Sequence, residues 1–92
     1  MTVTTRYYLV TIITDEQTAE HLIPNIRQLK LVNYAVHNLT GGKPGDSEGN
    51  GIVKIEILCA RGGLSDSMNY LNDNYVKRYG AVLYYIEVNV PV

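Results

Sequence analysis

Five of the eight glycines fall between residues 41 and 51, and with one lysine among them they form the strongest chemical signal in the chain. Gly41-Gly42-Lys43-Pro44-Gly45 leaves a strand-like stretch, residues 34–40. Backbone amides in such a turn can converge on an anion while the lysine adds a point charge. A P-loop is excluded, because that pattern needs Gly-Lys followed by Ser or Thr and then a helix, whereas Lys43 precedes Pro44 and a further strand. The same glycines would serve equally as a flexible linker.

The other reactive side chains are scattered. His37 stands mid-strand between Val36 and Asn38, and His21 falls on a helical stretch; isolated histidines of this kind are more often hydrogen-bonded than ligating. Cys59 keeps phase with Val53, Ile55 and Ile57, which marks a core thiol rather than a nucleophile. One cysteine closes no intramolecular disulfide, and with two histidines it completes no structural zinc site. Asp46 and Glu48 lie in the glycine-rich loop, where a fixed separation for acid–base work is hard to hold. Lys54 and Glu56 share the strand face opposite Cys59, a placement that suits an intersubunit ion pair, a pocket floor or a solvated cross-strand pair. No Ser/His/Asp or Cys/His spacing points to catalysis, so a non-enzymatic role is expected.

The elements that must position these residues follow from periodicity. Residues 6–14 are rich in β-branched and aromatic types and predict a strand. Thr14-Asp15-Glu16-Gln17 has capping-box spacing, with Thr14 expected to cap the Gln17 amide. Ala19, Leu22, Ile23, Ile26 and Leu29 then share one helical face to about Lys30, with a kink or a restart expected at Pro24. Residues 34–40 and 52–60 predict two strands, and Leu64, Met68, Leu71, Tyr75 and Tyr79 predict a helix over 65–79 that Gly80 closes in a left-handed cap. Residues 81–90 predict the last strand. The order β-α-β-β-α-β gives an α+β, ferredoxin-like fold: a four-stranded antiparallel sheet with both helices on one face.

In the last strand Val82, Tyr84, Ile86 and Val88 make one face, yet Ala81, Leu83 and Tyr85 on the other are apolar too; the first strand behaves likewise. Two apolar faces need two covers, and a chain of 92 residues builds a thin core, so a homo-oligomer is expected, read here as a trimer. With 8 Lys and Arg against 9 Asp and Glu there is no basic excess to meet a phosphodiester backbone, which argues against nucleic acid. The length fits one domain over 1–92. Its lone cysteine suits a reducing, cytoplasmic setting, and residues 7–13 cover about a third of a bilayer span, so neither a signal peptide nor a transmembrane helix is expected.

Three stretches carry a resemblance to a known family: Tyr34-Ala35-Val36-His37-Asn38-Leu39-Thr40-Gly41-Gly42-Lys43-Pro44-Gly45, Val53-Lys54-Ile55-Glu56-Ile57-Leu58, and Tyr75-Val76-Lys77-Arg78-Tyr79-Gly80-Ala81-Val82-Leu83-Tyr84. The chain resembles the PII-like signalling proteins, especially their bicarbonate-transport and carboxysome-associated branch. That resemblance implies a homotrimer with three intersubunit clefts for a small effector: ATP, ADP, AMP, cyclic AMP or bicarbonate, with no further cofactor. It also implies a T-loop-like segment over 41–51 that reports occupancy to a partner such as a membrane transporter. The ligand-binding residues it implies are Thr40, Gly41, Gly42 and Lys43 at the loop base, Glu56 in the cleft wall and Gly80 in place of the family's B-loop. The loop here carries neither Tyr nor Arg. Two other classes share the topology: CutA-like trimers with a metal-related role, and dimeric ferredoxin-like-barrel monooxygenases.

Overall fold

The computed structural model describes residues 3–41 and 50–91. Strand β1, Thr4–Asp15, is rich in β-branched and aromatic side chains and lies inside the sheet. It pairs antiparallel with β3, Asn50–Cys59, on one side and with β4, Val82–Pro91, on the other. Strand β2, Asn33–Gly41, pairs antiparallel with β3, and the order is β2-β3-β1-β4. β1 is longer than the predicted 6–14 because β4 supports it past the end of β3: the β3 ladder stops at Tyr8 and Cys59, whereas the β4 ladder runs on to Thr4 and Pro91. The two strands therefore project as a ribbon beyond the sheet. β2 and β3 are also longer at the loop side than predicted, with Gly41 and Asn50 paired as the last rung.

Helix α1, Glu16–Leu22, starts one residue later than a Thr14 cap requires. Thr14 still belongs to the β1 ladder, opposite Val53, and its side chain is buried on the core face. Asp15 takes the capping role instead, accepting from the Thr18 amide at 2.7 Å and from the Thr18 hydroxyl at 3.0 Å. At Ile23 the α-helix gives way to a 3₁₀ helix, Ile23–Gln28, with Pro24 in its first turn. This is the restart that proline's missing N–H and fixed φ favour. The amide of Thr18 holds the Asp15 carboxyl below the usual carboxylate range. The cap therefore contributes above the unfolded-state value near 3.9 and is lost as pH falls through the lower folded-state value. Asp15→Ala should cost about 1 kcal/mol at neutral pH, and Asp15→Asn should cost much less. In urea titrations repeated at acid pH, the gap between Asp15→Ala and wild type should shrink.

Helix α2 begins four residues before the predicted start, at Arg61. It runs Arg61–Leu71, widens into a π-helical turn over Asn72–Val76 and ends in the turn Lys77–Tyr79. Its buried side is Gly63, Ser67, Leu71 and Tyr75, a strict step of four. Four residues overshoot a 3.6-residue turn, so such a row drifts around an α-helix, and the wider turn brings Tyr75 back over the sheet. The early start depends on Gly63: a Cβ there would lie 2.6 Å from the Lys30 carbonyl oxygen, so only glycine lets the helix sit against the chain leaving α1. Gly80 ends α2 with φ 71°, its amide donating to the Val76 carbonyl at 3.0 Å, which is the expected left-handed cap.

Both helices cover the same face. Val10 and Ile12 of β1 and Val53, Ile55, Ile57 and Cys59 of β3 meet Ala19, Leu22, Ile26, Leu71 and Tyr75 in one core. Tyr75 joins the helices through its hydroxyl, 3.2 Å from His21 Nδ1, and burial pushes its phenol up. The opposite, open face carries Leu9 and Ile13 of β1, Leu58 of β3 and Val82, Tyr84, Ile86 and Val88 of β4. On β4 this face is bare: Val82 is 55% exposed, Tyr84 45% and Ile86 50%.

Candidate functional site

Gly41 and Gly80 mark one end of the sheet. Gly41 ends β2, beside Asn50 of β3, while Gly80 enters β4 at Val82, which faces Ile13 near the same end of β1. Three strand spacings separate the two edges, roughly 14 Å. Within one copy, then, Thr40 and Gly41 flank one side of this end and Gly80 the other. Gly42 and Lys43 lie outside the described residues, as does the loop through residue 49.

Glu56 stands apart from this end. It faces Ala35 across the β2–β3 ladder, six residues before Gly41 and therefore about 20 Å along the strand. Its carboxylate points to the open face and pairs with the imidazole of His37, Nε2 to Oε1, at 2.7 Å. Lys54, directly opposite His37, shares that face. Among the described residues the partner of Glu56 is thus His37, and no Lys54–Glu56 ion pair forms. The sequence reading missed the His37 contact because only the ladder register brings it diagonally to Glu56. Beside the pair a shallow cavity of about 210 Å³ is lined by Leu9, Asn33, Tyr34, Ala35, Glu56 and Leu58. One wall is apolar and one acceptor is fixed, so the cavity suits a flat group with a hydrogen-bond donor.

Cys59 faces the core, on the side opposite His37, and burial pushes its thiol up. No group of three or more His, Cys, Asp or Glu side chains converges among the described residues. No described helix is long and apolar enough to cross a membrane.

No family model and no curated protein matches the sequence. Solved structures do match by fold. A Thermus thermophilus protein assigned to PII-like signalling superposes with TM-score 0.77 at 22% identity, over 95% of this chain and 90% of that one. The apo form of CPII, a nitrogen regulatory PII-like protein of Thiomonas intermedia, superposes with TM-score 0.82 at 11% identity, over 100% and 99%. The same protein bound to ADP, AMP and bicarbonate gives TM-score 0.78 at 11% identity, over 96% of each chain. At these identities the likeness speaks for backbone architecture, and the four antiparallel strands with two helices on one face agree with it throughout. The chain carries the PII-like, ferredoxin-type fold.

Proposed function

We propose that the protein is a non-enzymatic, cytoplasmic PII-like regulator, in which three copies of a single domain over 1–92 close into a ring and hold a small effector between neighbours. The observation that carries this reading is the placement of Gly41 and Gly80 at the same end of the sheet on opposite edges. Apolar surface is divided in the same way. Val82, Tyr84 and Ile86 are exposed on the open face at the β4 edge, and Val32, Tyr34 and Val36 are exposed near the β2 edge. Tyr34 and Val36 stand opposite the core residues Ile57 and Ile55, which puts them on the helix side. Apolar patches on opposite edges, mainly on the open face at β4 and mainly on the helix side at β2, suit head-to-tail contacts in which each copy uses both and the ring closes.

In such a ring the Gly80 edge of one copy meets the Thr40–Gly41 edge of the next. The effector would sit there, with the Gly41 and Gly42 amides and the Lys43 ammonium meeting its negative charge. CPII, with the same fold, is bound to ADP, AMP and bicarbonate, and we take an adenine nucleotide, bicarbonate or both as the effector class. Differential affinity for two arrangements of the segment 41–51 would then carry the signal to a partner such as a transporter. Calorimetry with ADP, AMP, ATP and bicarbonate should give saturable heat for at least one of them. Lys43→Ala should weaken that binding by about 1.5–3 kcal/mol, the range for a charged hydrogen bond. No heat at millimolar effector, or binding that ignores Lys43→Ala, would overturn the placement.

A further inference from the structure

At the other end of the molecule, on the helix side, a cavity of about 390 Å³ opens between the first turns of α2 and strands β1 and β4. It is lined by Tyr8, Arg61, Leu64, Ser65, Met68 and Tyr85. Tyr8 and Tyr85 meet edge to face across the two strands, with ring centroids 6.0 Å apart. The lining divides by chemistry into an apolar wall of Leu64, Met68 and the tyrosine rings, and a set of donors consisting of the Arg61 guanidinium and the hydroxyls of Tyr8, Ser65 and Tyr85. It contains no carboxylate.

Arg61 is the one cation among the residues that line this cavity. It occupies the first turn of α2, where the helix dipole favours a negative charge and opposes a cation. That turn has no acidic residue, and Ala60 at the cap supplies no side-chain hydrogen bond. Among the described residues, Arg61 makes no ion pair. Arg61 is exposed, and at the positive end of a helix beside an apolar wall its guanidinium is free to meet an anion.

We propose that this cavity is a second ligand site, for a small organic carboxylate with an apolar body. The carboxylate lies on Arg61 and the tyrosine hydroxyls, and the body lies between Leu64, Met68 and the aromatic rings. The site needs only one copy of the chain and sits at the opposite end of the sheet from Gly41 and Gly80, so it stands or falls independently of the ring.

The test uses phenylacetate and its uncharged analogue phenylacetamide, followed by the Met68 methyl resonance and by tyrosine fluorescence in a protein that has no tryptophan. Phenylacetate should bind at least tenfold more tightly than phenylacetamide. Arg61→Gln should weaken phenylacetate roughly tenfold or more while leaving the amide unchanged, as loss of a charge-assisted hydrogen bond requires. Tyr85→Phe, which keeps the ring, should weaken phenylacetate a few-fold. Arg61→Glu should abolish phenylacetate binding and raise the melting temperature of the free protein, because it replaces the misplaced cation with the favoured charge. Equal affinity for acid and amide, binding of neither, or a phenylacetate affinity that ignores Arg61→Gln would each overturn the proposal.

Discussion

Ile86→Asp should turn the proposed three-copy ring into single copies without unfolding them. In one copy Ile86 is 50% exposed on the open face, in register with Leu9 and between Tyr84 and Val88, so a carboxylate there is solvated and the core beneath is untouched. In the proposed ring the same carboxylate would enter a contact between apolar patches. An uncompensated charge of that kind costs about 3–5 kcal/mol at each contact. Multi-angle light scattering should show three-copy mass for the wild type and one-copy mass for the variant, while circular dichroism keeps its strand and helix signal. A variant that retained the wild-type mass would show that this face is not what joins the copies. Wild type running as a dimer would contradict the head-to-tail reading itself.

Gly63→Val should be among the most damaging single substitutions outside the large apolar core. The added Cβ would meet the Lys30 carbonyl oxygen at 2.6 Å and the Lys30 Cβ at 3.1 Å, and the first of these is backbone. Nothing there can swing away, so α2 must lift from the segment that joins α1 to β2. The expected loss is about 3 kcal/mol or more, at the upper end of overpacking costs. In a domain of this size each kcal/mol lowers the melting temperature by roughly 4–8 °C. Gly62 provides the internal control: a Cβ there meets nothing within 4 Å. Gly62→Ala should therefore be neutral or gain up to about 1 kcal/mol, since alanine loses less freedom than glycine on entering a helix. Equal losses at the two glycines would mean that helix propensity, rather than the Lys30 contact, governs this turn.

The elements themselves were legible because they rest on local rules. The period-two runs of β1, β3 and β4 put Val10, Ile12, Val53, Ile55, Ile57 and Cys59 on the core side and Val82, Tyr84 and Ile86 on the other, as the alternation required. Pro24 broke the α-helix where proline must, and Gly80 took the positive φ that only its position after a helix demands. These features depend on neighbours within a turn or two, and so composition and spacing carry them.

Errors at boundaries arose where two local rules competed. Thr14 and Asp15 are both good caps and both are rungs of the β1–β3 ladder, and the choice fell to the strand's alternation, which buries the Thr14 side chain on the core face and leaves that of Asp15 exposed to bend back to Thr18. Helix α2 reached back to Arg61 through two glycines that disfavour helix on propensity alone, because Gly63 makes a long-range contact with Lys30 that no window on the sequence contains.

The candidate sites divide along the same line. Residue types alone nominate Gly41 to Lys43 as the place for an anion, and strand alternation alone puts Glu56 on the face away from Cys59. Tertiary structure alone decided which residues meet. The β2–β3 register put His37 on Glu56, and a glycine-rich connection leaves that register unspecified until both strands find the sheet. Strand order β2-β3-β1-β4 set Gly41 and Gly80 on opposite edges of one end, and the β1–β4 register with the docking of α2 brought Tyr8, Tyr85 and Arg61 to one cavity. Each of these contacts joins residues far apart in the chain, and their geometry follows from how whole elements dock, a property of the packed core rather than of any segment within it.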